Sequence, residues 1–467
     1  MNIGLVVFSL YIALMFFHAW TGNKRIKNPV DFNVAGRGLP GLVIGLSFYA
    51  SFMSTNSFLG LAGRSHSWGF SIWGSGILFI VFAWLSWRFI APRLRERTEE
   101  LGALTLSDYL GYAFNSKPYE KAVSVVILLA SIPFMQAVFK GVSLVIQQLT
   151  GLSPGLSLLT AWFVVVVYTV AGGFHAVAKT DVVQGVIMVI ASVCLPFSMI
   201  KAGGGFQNLL EVSSIDAGVN TVNVWTMAPL GAVLGIGLAG GFKMMSEPRQ
   251  VSRFFAIEKT EIKKGQSIAL WTLSISYLLI LPVGFLSRGF LQGYTGDLDK
   301  IVPTLLSMPE VVHPLLGAVF LAAFLAAAMS SLDSILLAVS GSIQRSLVGK
   351  TGTTSQQELH LTRCIVIFLS IVPALLVLYN PGEIIALTTL SGAVFGAAFL
   401  PSLIHSLYRK TKPVNAAWAS LFSGVFSVLL WKFFVTVEWA QLKIIHEVVA
   451  GTLISFIVFY LFKGKDE

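Results

Sequence analysis

The 467-residue sequence is too apolar for a water-soluble protein, because 55% of its residues are hydrophobic and only 12% are charged. An average soluble domain carries roughly 25% charged residues. The mean hydropathy of +0.78 points the same way. Only two cysteines are present and both lie in apolar runs, which argues against a disulfide framework or a thiolate metal site.

Apolar runs recur along nearly the whole chain, and a run of about 20 residues is long enough to span a bilayer. The first run has no basic segment before it and no cleavage site before Lys24, so we interpret it as a helix and not as a signal peptide. The connections leave no room for a soluble domain, so we predict one all-α transmembrane domain, 1–467. Its thirteen predicted spans are 2–19, 40–60, 69–91, 120–149, 155–172, 181–201, 226–245, 266–287, 312–342, 362–379, 383–408, 414–436 and 444–462.

The net charge of +10 reflects membrane topology and not nucleic-acid binding. With the amino terminus outside, 24 of the 32 Lys and Arg residues fall in cytoplasmic segments or at their helix ends. Such a bias is the positive-inside rule. We therefore expect a multi-pass protein of the plasma membrane, specifically of a bacterial inner membrane. Its carboxyl terminus should be cytoplasmic. The cytoplasmic cations include Arg88, Arg93, Arg95, Arg97, Arg249, Arg253, Lys259, Lys263, Lys264, Arg409, Lys410 and Lys412.

Small and hydroxyl-bearing residues cluster in two spans. The second span carries Ser51, Ser54, Thr55, Asn56 and Ser57, and the seventh carries Gly231, Gly235, Gly237, Gly240 and Gly241. Irregular backbone inside a membrane is tolerated where it lines a cavity, so the clusters predict two interrupted helices. Their separation by five spans favours inverted repeats at 40–201 and 226–408, with 1–39 before them and two trailing helices in 409–467. Ordinary small-residue helix packing is the alternative.

Two aspartates lie in or beside the spans. Asp333 is in the ninth span with Ser330, Ser331 and Ser334. An intramembrane carboxylate costs on the order of 3 kcal/mol and indicates a bound cation, a proton or a partner. The serines could also bond back to carbonyls of their own helix. Asp181 opens the sixth span, where by itself it would fit a helix cap.

Several motifs together resemble those of the sodium:solute symporter family. Gly172–Gln184 resembles its Gly-Gly-aromatic…Thr-Asp-x-x-Gln signature, and Ala327–Ser334 resembles its serine-rich second signature. Three further motifs typical of the family occur in the expected order along the chain: Ala35-Gly36-Arg37 before the second span, Pro248…Arg253-Phe254-Phe255-Ala256 after the seventh, and Pro401 in the eleventh. The resemblance implies a leucine-transporter-like core of two inverted five-helix repeats, with one helix before it and two after.

The resemblance also implies Na⁺ as the coupling ion and assigns ligands to it. The main sodium site would take Ala50, Met53, Ala327, Ser330 and Ser331. A second site, present in some members, would take Asp181, Ser330, Asp333 and Ser334. Asp333 stands where those members can have serine, and this extra charge favours a second cation or a proton.

The solute-binding residues follow from the same resemblance. The candidates are Ser54, Ser57, Ser71, Gln136, Lys140, Gly240 and Lys243. A lysine inside a span is costly when uncompensated, so Lys140 and Lys243 indicate an anionic group of the solute or a carboxylate partner. Snorkelling to an interface is the alternative. The sialic-acid branch of the family carries an arginine where this chain has Phe134, which argues against sialic acid.

The sequence thus predicts inward, sodium-driven symport of a small solute by alternating access, with an organic acid or an amino acid favoured. The seven histidines are scattered without catalytic or metal-binding spacing, so no enzyme is expected. Two alternatives stay open: a proton-coupled permease of the same fold, and a sodium symporter of a sugar or another neutral solute. The bilayer surrounds the protein, and neither nucleic acid nor an obligate protein partner is expected.

Overall fold

The computed structural model describes residues 3–23, 29–349, 355–379, 382–438 and 445–463, and this part of the chain is helical without a β-strand. The α-helices are α1 (Ile3–Asn23), α2 (Pro29–Val34), α3 (Gly41–Phe52), α4 (Ala62–Trp68), α5 (Trp73–Leu85), α6 (Ala91–Glu100), α7 (Leu106–Ala113), α8 (Lys117–Thr150), α9 (Pro154–Ala202), α10 (Phe206–Asp216), α11 (Leu230–Ser246), α12 (Pro248–Ala256), α13 (Ile262–Ile280), α14 (Val283–Leu286), α15 (Ile301–Leu306), α16 (Pro314–Ile343), α17 (Ser355–Tyr379), α18 (Ile384–Tyr408), α19 (Val414–Leu430), α20 (Thr436–Glu438) and α21 (Glu447–Phe462). Single π-helical turns at Asn56–Leu61, Ser86–Ile90, Gln344–Val348 and Trp431–Val435 continue several of them.

The predicted all-α membrane architecture is confirmed. Among the described residues, 8 helical stretches are long and apolar enough to cross a membrane. Shorter apolar helices add Ile3–Phe17, Gly41–Phe52, Pro154–Val170 and Glu447–Phe462. Each predicted span overlaps at least one helix of the described residues, while the number of thirteen crossings stays a prediction.

Helix α9 contains two of the predicted spans, 155–172 and 181–201, and is sharply bent between them. The hydroxyl of Tyr168 hydrogen-bonds to the hydroxyl of Thr180. In a straight helix, residues twelve positions apart are separated by about 18 Å along the axis. The chain therefore folds back in this region, as two consecutive spans require.

The predicted interruption of the second span is present. Helix α3 ends at Phe52, Met53 takes an extended conformation (φ −70°, ψ 91°), and a π-helical turn at Asn56–Leu61 leads into α4. Leu39, two residues before α3, pairs with the backbone at the end of α12. Its N–H donates to the Ala256 carbonyl and its carbonyl accepts from the Glu258 N–H, both at 3.0 Å. This pairing holds the start of α3 against the end of α12.

The prediction that the glycines interrupt the seventh span is wrong. Helix α11 runs unbroken through them to Ser246, and a break follows at Glu247 (φ −71°, ψ 130°), after the predicted span 226–245 and directly before Pro248. The glycines serve close packing, because a Cβ at Gly240 would overlap the ring of Phe79 in α5. The repeats 40–201 and 226–408 stay a prediction, which two helices interrupted in this way support.

Candidate functional site

The first part of the site lies where α16 passes the interruption after α3. The Ser330 hydroxyl donates to the Ala50 carbonyl at 2.9 Å and lies 3.0 Å from the Ala327 carbonyl. The Ser331 hydroxyl donates to the Ser51 carbonyl at 2.9 Å. The carbonyls of α3 are available because the last turn of a helix has no partners of its own. All these residues are buried.

The structure therefore brings together three of the five residues predicted for the main sodium site, namely Ala50, Ala327 and Ser330. Ser331 reaches Ser51, which the sequence analysis did not assign to the ion. Met53 is buried beside them, and its N–H donates to the Tyr49 carbonyl at 2.9 Å. Hydroxyl and carbonyl oxygens are the ligands that hard cations prefer, and unwound membrane helices supply such carbonyls to Na⁺ in transporters.

The second part of the site is a buried ionic cluster centred on Arg253 of α12. One guanidinium nitrogen of Arg253, Nη2, lies 3.0 Å from Asp181 Oδ2 and 2.6 Å from Ser334 Oγ. The Nε atom donates to Ser47 Oγ at 3.1 Å, and Ser47 in turn donates to Asp181 Oδ2 at 2.5 Å. Two residues of the predicted second site are thus joined by an arginine that the sequence analysis treated only as a landmark and a topology signal.

With both of its carboxylates ionised, the cluster would carry more negative than positive charge. Asp333 lies within it, with Oδ1 3.4 Å from Ser334 Oγ, and is fully buried. Asp181 Oδ1 and Asp333 Oδ2 have no hydrogen-bond partner among the described residues. Two ionised carboxylates against one guanidinium would leave one net negative charge, which is costly away from water. The arrangement therefore favours a bound cation or a proton.

Ser330, the remaining residue of the predicted second site, meets the cluster through its backbone. Its carbonyl accepts a hydrogen bond from Ser334 Oγ at 2.6 Å. The Ser330 side chain belongs to the first group of oxygens. One helical turn of α16 thus joins the two parts of the site.

The third part is a small cavity between the broken α3, α5, α8, α11 and α18. Its free volume of about 20 Å³ holds roughly one water molecule. Ser54, Gly240 and Lys243 were predicted as solute-binding residues and line it. The sequence analysis had not proposed the other lining residues as solute ligands; they are Phe52, Asn56, Phe79, Phe134, Ile236, Arg249, Thr388 and Thr389.

Two cations and one carboxylate are grouped at this cavity. Lys243 Nζ and the Arg249 guanidinium lie 3.7 and 4.3 Å from the ring centre of Phe134. Glu247 Oε2 lies 2.8 Å from Arg249 Nη2, and Oε1 lies 3.7 Å from Lys243 Nζ. With all three ionised, the group has one net positive charge.

Arg249 also connects the cavity to the first part of the site. Its Nη1 donates to the Ser51 carbonyl, the same oxygen that accepts from Ser331. A change at one group of oxygens therefore acts directly on a cation of the cavity.

Three of the other four predicted solute-binding residues contact partners outside the cavity lining. Ser57 Oγ lies 3.0 Å from the Tyr277 hydroxyl, and Ser71 Oγ accepts from the Ala228 N–H at 3.2 Å. Gln136 is buried on α8. Lys140 forms an ion pair, 2.6 Å long, with Asp299. In the described structure these four do not line the cavity.

Comparison with known proteins places the chain among transporters. Residues 32–424 match the model described as "Sodium:solute symporter family". The sodium/proline symporter of Staphylococcus aureus is 27% identical over 475 residues, covering 98% of this chain and 91% of the relative. Sodium/proline symporter 2 of Staphylococcus saprophyticus is 28% identical over 470 residues, covering 97% and 91%.

Solved structures share the fold at low sequence identity. A Na⁺-coupled sialic acid symporter, solved in a substrate-bound outward-open state, superposes with a TM-score of 0.82 at 17% identity, over 99% of this chain and 98% of that one. Mhp1, a nucleobase-cation-symport-1 family transporter, superposes with a TM-score of 0.53 at 14% identity, over 92% and 94%. The shared architecture agrees with the predicted inverted-repeat transporter fold.

Proposed function

Because this chain belongs to the sodium:solute symporter family, as its motifs predicted, we propose that it drives the uptake of a small monocarboxylate with the sodium gradient. Symport coupled to Na⁺ in a multi-pass membrane protein follows from the family itself. The solute, the ligands of the ion and the inward direction are the parts that we propose. The net positive charge at the central cavity carries the assignment of the solute.

The charge of the cavity supports a monoanion. Lys243 and Arg249 exceed Glu247 by one charge, and an anionic solute would balance it. Among the described residues that line the cavity there is no Asp or Glu to pair with an ammonium group. A zwitterion such as an amino acid would therefore find a partner for its carboxylate but no ionised partner for its amine.

The remaining walls support a short solute with one or two further polar atoms. Phe52, Phe79 and Phe134 offer apolar surface for a carbon chain. The hydroxyls of Thr388 and Thr389 donate to the carbonyls of Ile384 and Ile385 in their own helix, so their remaining lone pairs can accept a hydrogen bond from a hydroxyl group of the solute. Since the cavity holds only about one water molecule in this structure, the solute enters when the helices around it separate.

Two cation-binding groups support coupling to the ion. We assign the main sodium site to the oxygens of Ala50, Ala327 and Ser330, with Ser331 and the carbonyl of Ser51 beside them. The second group, with Asp181 and Asp333, takes a further Na⁺ or a proton. Since the ion and the solute favour the same closed arrangement of α3 and α16, a coupling free energy of about 1 to 3 kcal/mol is enough for symport.

Uptake into proteoliposomes tests the proposal. Labelled lactate should accumulate when a sodium gradient is imposed, whereas lactamide and L-proline should not. Lys243→Gln should raise the half-saturation concentration for lactate about tenfold or more, because a hydrogen bond to a charged group contributes roughly 1.5 to 3 kcal/mol. Lys263→Gln, at an exposed residue of α13, is the matched control and should leave uptake unchanged.

A second candidate solute is an amino acid, which the two sodium/proline symporters among the relatives favour. Sodium-driven accumulation of L-proline without accumulation of any monocarboxylate would establish it and overturn the monocarboxylate assignment. Accumulation of a neutral sugar by wild-type protein and by Lys243→Gln alike would overturn both.

A further inference from the structure

A second cavity, distant in sequence from the cation-binding residues, is strongly basic. It has a volume of about 200 Å³ and lies between the end of α6, α7 and the connection from α18 to α19. Arg97, Arg409, Lys410 and Lys412 line it together with the hydroxyl-bearing residues Tyr109, Tyr112, Ser406 and Thr411. We call it the basic cavity.

Among the described residues, the cations of the basic cavity have few carboxylate partners. Within the described residues Arg409, Lys410 and Lys412 form no ion pair. Arg97 lies 3.1 Å from Glu100, but both side chains are largely exposed, so their attraction is weak. Four cations against one carboxylate leave three net positive charges around a concave surface.

The walls of the basic cavity are held in place. The His405 Nε2 atom lies 3.0 Å from Thr411 Oγ1, and the Arg409 N–H donates to the His405 carbonyl at 2.8 Å. The Ser406 hydroxyl donates to the hydroxyl oxygen of Tyr109 at 3.1 Å. Burial raises the pKa of Tyr109 to about 12, so its hydroxyl keeps its proton at neutral pH and can donate a hydrogen bond.

We propose that the basic cavity binds a phosphate-bearing anion, which is either the headgroup of an acidic phospholipid or a free phosphate compound. Guanidinium, ammonium and hydroxyl groups are the donors that phosphate oxygens accept from. Ordinary cytoplasmic cations of a membrane protein only need to face water. Here four of them line one concave surface beside the buried Tyr109, an arrangement that solvation alone does not require.

A ligand at this place would act on transport. It would join α6 and α7 to the end of α18, and α18 contributes Thr388 and Thr389 to the central cavity. Relative movement of these helices changes access to a central site in alternating-access transporters. A bound phosphate would therefore restrain that movement. The proposal does not depend on the identity of the transported solute.

Binding to the purified full-length protein tests the proposal. The melting temperature is measured in phosphatidylcholine nanodiscs, in discs that also contain phosphatidylglycerol, and in phosphatidylcholine discs with added inorganic phosphate. The test variant is Lys410→Gln/Lys412→Gln and the matched control is Lys121→Gln/Lys263→Gln. All four lysines are exposed, so folding should be preserved.

One of the two anions should raise the melting temperature of the wild-type protein and of the control. The test variant should bind that anion about tenfold more weakly or worse, since each lysine near an anionic surface contributes about 1 kcal/mol. Stabilisation by phosphatidylglycerol alone identifies a lipid headgroup, and stabilisation by inorganic phosphate identifies a soluble ligand. The proposal is overturned if neither anion raises the melting temperature of the wild-type protein. It is also overturned if the control variant loses as much affinity for the anion as the test variant.

Discussion

The ammonium nitrogen of Lys140 lies 2.6 Å from Asp299 Oδ2, and both side chains are almost fully buried. Lys140 also donates to the Gly382 carbonyl at 2.9 Å, and the same Asp299 oxygen accepts from the N–H of Ile384 at 3.2 Å. The pair joins α8, the segment before α15 and the start of α18. It supplies the charge that balances Lys140, so we assign recognition of the solute's charge to Lys243 and Arg249.

Removing one partner of this pair should destabilise the protein strongly. Lys140→Met leaves the Asp299 carboxylate buried without its cation, and such a loss typically costs about 3 to 5 kcal/mol. The double variant Lys140→Met/Asp299→Leu should recover a large part of that loss, because the buried carboxylate is removed together with its cation. Asp297, which lies 3.2 Å from Lys140 Nζ, is 35% exposed and stays in contact with solvent. Unfolding in detergent, followed by near-UV circular dichroism, measures both values.

The exposed pair between Arg97 and Glu100 provides the control for that comparison. Arg97→Ala should cost no more than about 1 kcal/mol. If Lys140→Met costs as little as this, or if the double variant is no more stable than the single one, the pair does not stabilise the fold.

The sequence predicted those features of the fold that depend on local composition. The all-helical membrane architecture follows from apolar runs, and the hydroxyl cluster from Ser51 to Ser57 marks the interruption after α3. The prediction that the glycines of α11 interrupt the helix was wrong, because glycine also permits close packing against a neighbouring helix. Pro248, which follows Glu247, was the local signal for the second interruption.

The ionic part of the site could not be predicted from local sequence because its partners are distant along the chain. Arg253 hydrogen-bonds to Asp181, which is 72 positions away in the sequence, and to Ser47, which is 206 positions away. Lys140 meets Asp299 across 159 positions. Whether a cation next to a span is solvated, snorkels or is buried in a pair depends on which helices pack around it, and only the three-dimensional arrangement provides this information.

The sodium dependence of uptake should depend on Ser330 and Ser331, which contact α3 at its interruption. Ser330→Ala/Ser331→Ala removes two oxygens that can bind the ion. We expect the sodium concentration for half-maximal uptake to rise about tenfold or more, with the protein still folded, since a lost charge-assisted contact is worth roughly 1.5 to 3 kcal/mol. Uptake at varied sodium concentration in proteoliposomes measures this.

Ser342→Ala is the matched control for these serines. Its hydroxyl bonds to the Ala338 carbonyl of the same helix at 2.9 Å, so it represents an ordinary back-bonded serine of α16. It should keep the wild-type sodium curve. An unchanged sodium curve in the double variant would remove Ser330 and Ser331 from the ion site.

The predicted topology can be tested by labelling from one side. A variant in which Cys194 and Cys364 are replaced receives a single cysteine either at Asn220 or at Lys263, both of which are exposed. With the amino terminus outside, a membrane-impermeant maleimide should label Asn220→Cys in intact cells and Lys263→Cys only after the membrane is opened. Labelling of both from outside would overturn the topology.

The charge at Asp333 should determine how many cations are coupled to transport. In the wild-type cluster Asp181 and Asp333 oppose the single charge of Arg253. Asp333→Asn leaves one carboxylate and one guanidinium, so the cluster no longer needs a further cation. If that cation is Na⁺, the cooperativity of sodium activation should fall while the main site stays intact. If it is a proton, uptake should lose its pH dependence and keep its sodium curve.

Asp333→Ser provides a second neutral replacement of the carboxylate. Asn keeps an amide oxygen and Ser keeps a hydroxyl oxygen, so both variants offer a neutral oxygen that can bind Na⁺ but neither carries a charge. If the charge of Asp333 holds a second sodium ion, the cooperativity of sodium activation should fall in both variants, and a coupled proton should likewise be lost in both. Sodium-activation curves at several pH values distinguish these cases. Unaltered sodium and pH profiles in both variants would show that Asp333 binds neither ion, and the unpaired oxygens of the cluster would then have only a structural role.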